Sequence, residues 1–220
     1  MYADHVPIIN AAMRDNLVTF RRGVMFAVLS ARTQFYRMPE QVACLDANGR
    51  GSPTLWTWKW RTFDYMDQEE TAVPFWRAVC AADNSVDGLR AAIQCPGLGL
   101  VKGAFVLQMF GHDIACIDSR NADRDGHKPN AFNLHGRNTG KWVERMIERY
   151  INVAGGRANE LWDIWCKDVG ADYGYKAQEI SKMHLDAIVP RTFSRDVWPL
   201  LSRVMRTVMP YIPARRDVPF

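Results

Sequence analysis

The chain has 220 residues, 48% of them hydrophobic, enough to bury a substantial core in one domain or in two closely packed lobes. A formal net charge of +4 excludes an acidic, self-repelling chain and points only mildly to a polyanionic partner. The apolar runs are far shorter than a bilayer span, and MYADHVPIIN has no basic region leading into an apolar core, so no membrane partner and an intracellular, cytoplasmic location are expected (host cytoplasm if the source is viral).

In chain order, Asn16 to Arg37 has helical apolar spacing, with Leu17, Phe20, Val24, Val28 and Leu29 on one face. A turn-rich stretch, DANGRGSP, follows. In TLWTWKWRTF, Trp56, Trp58 and Trp60 alternate with polar residues, the period of a strand, so one short β element is expected near 54–63. Such a row suits either core packing or stacking on unpaired bases. Thr71 to Phe110 reads as helical, broken at Asp83, Asn84 and a Pro/Gly turn; residues 119 to 140 read as a polar loop. Lys141 to Val153, Asn159 to Val169 and Tyr175 to Val189 predict three helices, and 190–220 a basic C-terminal segment with a last helix ending before Pro210. The expected fold class is therefore mostly all-α.

The most informative stretch is QCPGLGLVKGAFVLQMFGHDIACIDSRN, Gln94 to Asn121. Val86 to Ile93 predicts a short helix and Val101 to Phe110 an apolar one that Gly111 can end. Between them Pro96, Gly97 and Gly99 punctuate a tight turn, where glycine admits positive φ and close backbone approach. Its amides lie at the start of the next helix, where free N–H groups and the helix dipole favour a phosphate. Gly97, Leu98 and Gly99 are thus candidates for sequence-independent contact with the DNA backbone; a plain helix–helix turn is the other reading.

These residues resemble the helix-hairpin-helix DNA glycosylase superfamily, the group that includes endonuclease III. PGLGLVKGA is similar to its hairpin, GHDIACIDSRN to its segment ending in an apolar residue and Asp, and FAVLSARTQ at Phe26 to Gln34 to its early Leu-Ser-Ala-Gln-Thr segment. The resemblance covers roughly residues 20 to 190 and implies a single domain, 1–220, of two helical lobes, with hairpin and catalytic Asp at 86–121. It departs from the family at two places. Val101 stands where bifunctional members carry a Schiff-base Lys, and Lys102 follows one residue later; Asp118 is followed by Ser119, Arg120 and Asn121 with no His. Cys44, Cys80, Cys95, Cys116 and Cys166 are scattered, so no iron–sulfur loop is expected.

The resemblance implies a DNA-binding enzyme acting on a flipped nucleotide, in first place a glycosylase removing a damaged or modified base, with or without AP lyase chemistry. Asp118 would stabilise positive charge on the sugar or position a water; its other reading is a helix N-cap. Lys102 would attack the sugar as an amine, or contact a phosphate. Arg32, in the Leu-Ser-Ala segment, would enter the gap left by the base, or form a surface ion pair. Arg120 belongs to a basic cluster, Arg120 to Arg149, of seven cations against four acids; Arg203, Arg206, Arg215 and Arg216 form a second cluster. Both suit backbone contact with double-stranded DNA or a solvated surface. Two other functions stay open: a phage-type transferase that hypermodifies 5-hydroxymethyl-pyrimidines on the same fold, and a non-catalytic DNA-binding or viral structural protein.

Neither a metal nor a cofactor is expected. Asn121 to Gly126 opens like a calcium loop, but Phe132 stands where the bidentate Glu is needed. Gly136 to Trp142 is one residue short of a P-loop and ends in Trp, not Ser or Thr. His112, His127, His135 and His184 lack zinc-ligand spacing.

Overall fold

Asn16 ends one helix and begins the next. It takes an extended conformation, its backbone N–H bonds Ala12 O at the close of α1 (Tyr2–Asp15), and its side chain accepts from Val18 N at 2.7 Å at the start of α2 (Leu17–Leu29). The computed structural model describes residues 1–48, 57–128, 130–134 and 140–189, and these are mostly helical, with no strand among them. A 3-10 turn at Phe35–Arg37 leads into α3 (Met38–Asn48); α4 (Thr57–Asp67), α5 (Glu69–Cys80), α6 (Ser85–Ala92) and α7 (Leu100–Met109) follow. The second half holds α8 (Ser119–Arg124), α9 (Gly140–Ala154), α10 (Ala158–Tyr173) and α11 (Ala177–Ile188). The expected final helix lies outside the described residues.

α7 is the axis of the fold. Leu100 and Gly103 to Met109 are buried, so the helix is enclosed nearly all round; Val101 and Lys102, near its start, are half-exposed. α2 and α6 pack along it. Gly103 makes the α6 approach close, since a Cβ there would stand 3.1 Å from Ala92 Cβ. α10 and α11 form a helical hairpin turned by Gly174, whose φ of +74° suits glycine. α1 lies against both: Tyr2 N donates to Asp163 Oδ1 (2.9 Å), and His5 Nδ1 is 2.7 Å from Ser181 Oγ. This first helix has no counterpart among the sequence expectations, because Pro7 falls inside it.

The expected β element near 54–63 is corrected for its described part. From Thr57 onward the chain is α4, and Lys59, Thr62, Phe63 and Met66 are the residues it buries. That is i, i+3, i+4, i+7 spacing, a helical stripe hidden by the Lys and Thr within it, and its burial outweighs the period-two placement of tryptophans. Residues 54–56 lie outside the described residues. The expected loop over 119–140 is also partly helical: Asp118 caps α8, and Gly126 (φ +71°) ends it as His127 N returns to Ala122 O at 2.8 Å. The expected helix over 16–37 stops at Leu29, and Arg32 sits in a turn with φ +54°.

Candidate functional site

The Pro/Gly turn joins α6 to α7 as a hairpin, with Leu98 N donating to Cys95 O at 3.1 Å. Gly97 has φ +87°, and a Cβ there would fall on Thr62 Oγ1, whose hydroxyl donates to Pro96 O at 2.5 Å. Gly97 therefore seats the hairpin on α4. Gly99 differs: its φ of −90° is open to any residue, and nothing lies within 4 Å of where its Cβ would be. Leu98 is buried and its amide is spent on Cys95, so it anchors the turn in the core and takes no part in the exposed face formed by Pro96 and Gly97.

Beside the hairpin a cavity of about 720 Å³ opens between two walls. One comes from the end of α2, the turn after it and the start of α7, including Phe26, Ser30, Arg32, Lys102 and Phe105. The other comes from residues 116–121, α10 and α11, including Asp118, Arg120, Trp162, Trp165 and His184. The volume suits a drug-sized organic ligand, and the lining, aromatic with a few polar groups, has the character of a small-molecule pocket. Four of the residues expected from sequence thus meet here: Asp118, Lys102, Arg32 and Arg120.

Asp118 is held in place by its own segment. Gln108 of α7 accepts from Cys116 N (3.1 Å) and donates to Ala158 O (2.7 Å), tying the residues before Asp118 to α7 and to the start of α10. The Tyr150 hydroxyl, fully buried on α9, accepts from Ile117 N and donates to Ala115 O, both at 2.9 Å. Burial foremost, then the neighbouring Cys116 thiol, pushes that phenol well above its usual range, so it remains a donor. Asn121 Nδ2 closes the loop onto Cys116 O at 2.8 Å. Asp118 Oδ1 accepts from Asn121 N (3.0 Å), the bond of an N-cap, and Oδ2 accepts from Trp165 Nε1 (2.8 Å). The capping reading is therefore a fact of the fold, and it leaves the carboxylate facing the cavity.

Lys102 donates to Ser30 Oγ at 2.9 Å and lies 5.2 Å from the centre of the Phe105 ring, so the side chain crosses the cavity wall instead of pointing to bulk solvent. A second lysine, Lys59, is buried behind it, donating to Leu29 O and Thr33 Oγ1, each at 3.0 Å. Burial foremost, with help from the Lys102 charge, lowers its pKa to about 8. In the sequence Lys59 counts only as a polar residue between Trp58 and Trp60; in the fold it closes the open carbonyl end of α2. Arg32 is exposed at the cavity rim. Arg120 pairs with Asp172 at 2.6 Å, and Arg124 pairs with Asp168, so carboxylates of α10 offset this part of the basic cluster. Arg137 and the four C-terminal arginines lie outside the described residues.

His184 was weighed in sequence only as a zinc ligand and dismissed. It lies 4% exposed on α11, with ring-centre distances of 4.9 Å to Trp162, 5.4 Å to Trp165, 5.5 Å to Phe26 and 6.0 Å to Phe105. Burial lowers its pKa to about 4, against the raising effect of its bond to Ile180 O, so the imidazole is neutral near pH 7. The signal that could have found it is a His on the buried stripe of a helix, at i, i+4 from Ile180 and Ile188.

Among the described residues no helix is long and apolar enough to cross a membrane. No protein-family model, curated protein or solved structure gives a significant match to the chain.

Proposed function

We propose that this protein binds double-stranded DNA through the α6–α7 hairpin and acts on a nucleotide flipped into the adjacent cavity, in the manner of a DNA glycosylase. The observation that carries the reading is the convergence of Asp118 and Lys102, from opposite walls, on one aromatic-lined cavity beside that hairpin. A base must leave the stack before its glycosidic bond can be reached, and aromatic walls offset part of the unstacking cost. As the base departs, positive charge grows on the sugar, where the Asp118 carboxylate offers stabilisation or holds a water. The Lys102 amine offers the second route: its nitrogen bonds to the sugar C1′ as the C1′–N bond to the base breaks and the base leaves with the electron pair; nitrogen then loses a proton to give the aminal, and the C1′–O4′ bond breaks, its oxygen keeping the pair and taking a proton, to leave the C1′=N iminium.

The test is incubation of the protein with duplex oligonucleotides carrying uracil, 8-oxoguanine, alkylated or 5-hydroxymethylated bases, with products resolved by mass spectrometry. Released base or a cut strand is the expected result. A base that gains mass while its glycosidic bond survives identifies a modifying transferase. Binding without any product identifies a DNA-binding protein in which Asp118 serves only to cap α8 and anchor Trp165.

A further inference from the structure

The aromatic end of the cavity holds one side chain whose hydrogen bonding is unfinished. His184 Nδ1 lies 2.9 Å from Ile180 O. A carbonyl oxygen only accepts, so Nδ1 carries the ring proton and Nε2 is left with a bare lone pair. Among the described residues Nε2 has no hydrogen-bond partner, although the residue is 4% exposed and lines the cavity. The groups around it are already engaged. Trp162 Nε1 donates to Ser181 Oγ (2.9 Å) and Trp165 Nε1 to Asp118; Gln108 uses both ends of its amide; Ser30 accepts from Lys102 and donates to Ala27 O at 2.8 Å. A polar atom that lines a cavity without a protein partner is open to a water or a ligand there, and a ligand that covers it without completing the bond leaves it unpaired at a cost.

We infer that His184 Nε2 is a specificity-determining acceptor, which takes an N–H from the edge of a nucleobase held among Trp162, Trp165, Phe26 and Phe105. The inference rests on the reading of the cavity as a base pocket and adds its direction of discrimination: a ring presenting a donor, such as an exocyclic amine or a ring N–H, is accepted over one presenting only acceptors. A site built to pair with a substrate N–H discriminates against the analogue without it, because that analogue leaves the buried acceptor unpaired.

The experiment titrates 9-methyladenine against 9-methylpurine, and 1-methylcytosine against 1-methyl-2-pyrimidinone, into the wild-type protein labelled with nitrogen-15 at histidine. Each pair differs by the amine alone. The expected result is that the amine-bearing member of a pair binds about threefold to tenfold tighter, with the Nε2 resonance moving on binding and Nδ1 staying protonated. His184→Phe should bring that ratio to about one, while His184→Gln, whose amide oxygen can accept, should keep part of it. Equal affinity within both pairs and an unmoved Nε2 signal overturn the role of His184 and leave the base pocket standing. If no member of either pair binds, the base-pocket reading falls with it.

Discussion

Trp165 and Asp118 are joined by an indole N–H donated to Oδ2 at 2.8 Å, so the carboxylate is fixed from α10 at the same time as it caps α8. The cap and the proposed chemistry therefore use one group. In Asp118→Asn the amide oxygen can still accept from Asn121 N, but its NH₂ then faces the Trp165 N–H, donor against donor. Base release is expected to fall about a hundredfold or more, with stability lowered by about 1 kcal/mol and DNA affinity retained. Trp165→Phe is the control, keeping the charge and losing the indole bond. Full turnover in Asp118→Asn, with only a lower melting temperature, would assign the residue to capping alone.

Lys102 decides between water and amine as nucleophile. A borohydride-trapped protein–DNA adduct is expected in the wild type and not in Lys102→Gln, because only a primary amine yields a reducible imine. Base release without any adduct in the wild type would leave Lys102 as a positioning cation.

The two hairpin glycines are expected to separate folding from binding. Gly97→Ala meets both a positive φ and Thr62 Oγ1, and should cost more than about 1 kcal/mol of stability. Gly99→Val has open space and an ordinary φ, so it should fold as the wild type does while obstructing the approach of a phosphate. Its affinity for unrelated duplexes should drop alike, since backbone contacts read no sequence. Unchanged affinity in a folded Gly99→Val protein would remove the hairpin from the DNA-binding surface.

The parts legible in the sequence were those with a strong local signature. The break at Asn84, the hairpin with Gly97, and Gly111 closing α7 all follow from local backbone rules, and the structure adds that Asn84 caps α6. The approach of Asp118 and Lys102 to one cavity was only implied by resemblance, since no spacing rule relates two helices that meet through packing. α4 was misread because its buried stripe includes Lys59 and Thr62, which count as polar until their partners Leu29 O, Thr33 and Pro96 O are known. His184 was set only against zinc-ligand spacing for the same reason, a polar residue on a buried stripe.

Tyr150 carries more of the site than its distance from the cavity suggests. Tyr150→Phe removes the group that pairs Ile117 N and Ala115 O, leaving a buried donor and acceptor unmatched, and should cost about 2 kcal/mol. Because those bonds hold the segment leading to Asp118, turnover should fall in proportion more than DNA affinity does. Equal loss of both would show a general loosening instead.

Acid stability should reveal His184. Unfolded, the ring takes up a proton near pH 6.5; folded, it does so only near pH 4. Between those values the unfolded state binds more protons, so stability falls as pH drops from about 6.5 to 4 and is fully present above that window. His5 and His112, also lowered mainly by burial, act in the same direction. The contribution of His184 is therefore the difference in pH slope between wild type and His184→Phe, measured by urea denaturation. Parallel slopes would mean that the ring is already charged in the fold.

α1 packs on α2, where Met13 meets Gly23, and also on α10 and α11, where Tyr2 bonds Asp163 and His5 lies against Ser181, 161 and 176 residues away. Contacts across most of the chain are slow to form, because the intervening loop must close before they repay it. Trp162, Trp165 and His184 stand on α10 and α11. One wall of the cavity thus depends on contacts that close late in folding, whereas the hairpin already rests on α4 through Gly97 and Thr62. A chain in which α10 and α11 have not docked would hold the α6–α7 turn in place with no closed cavity beside it.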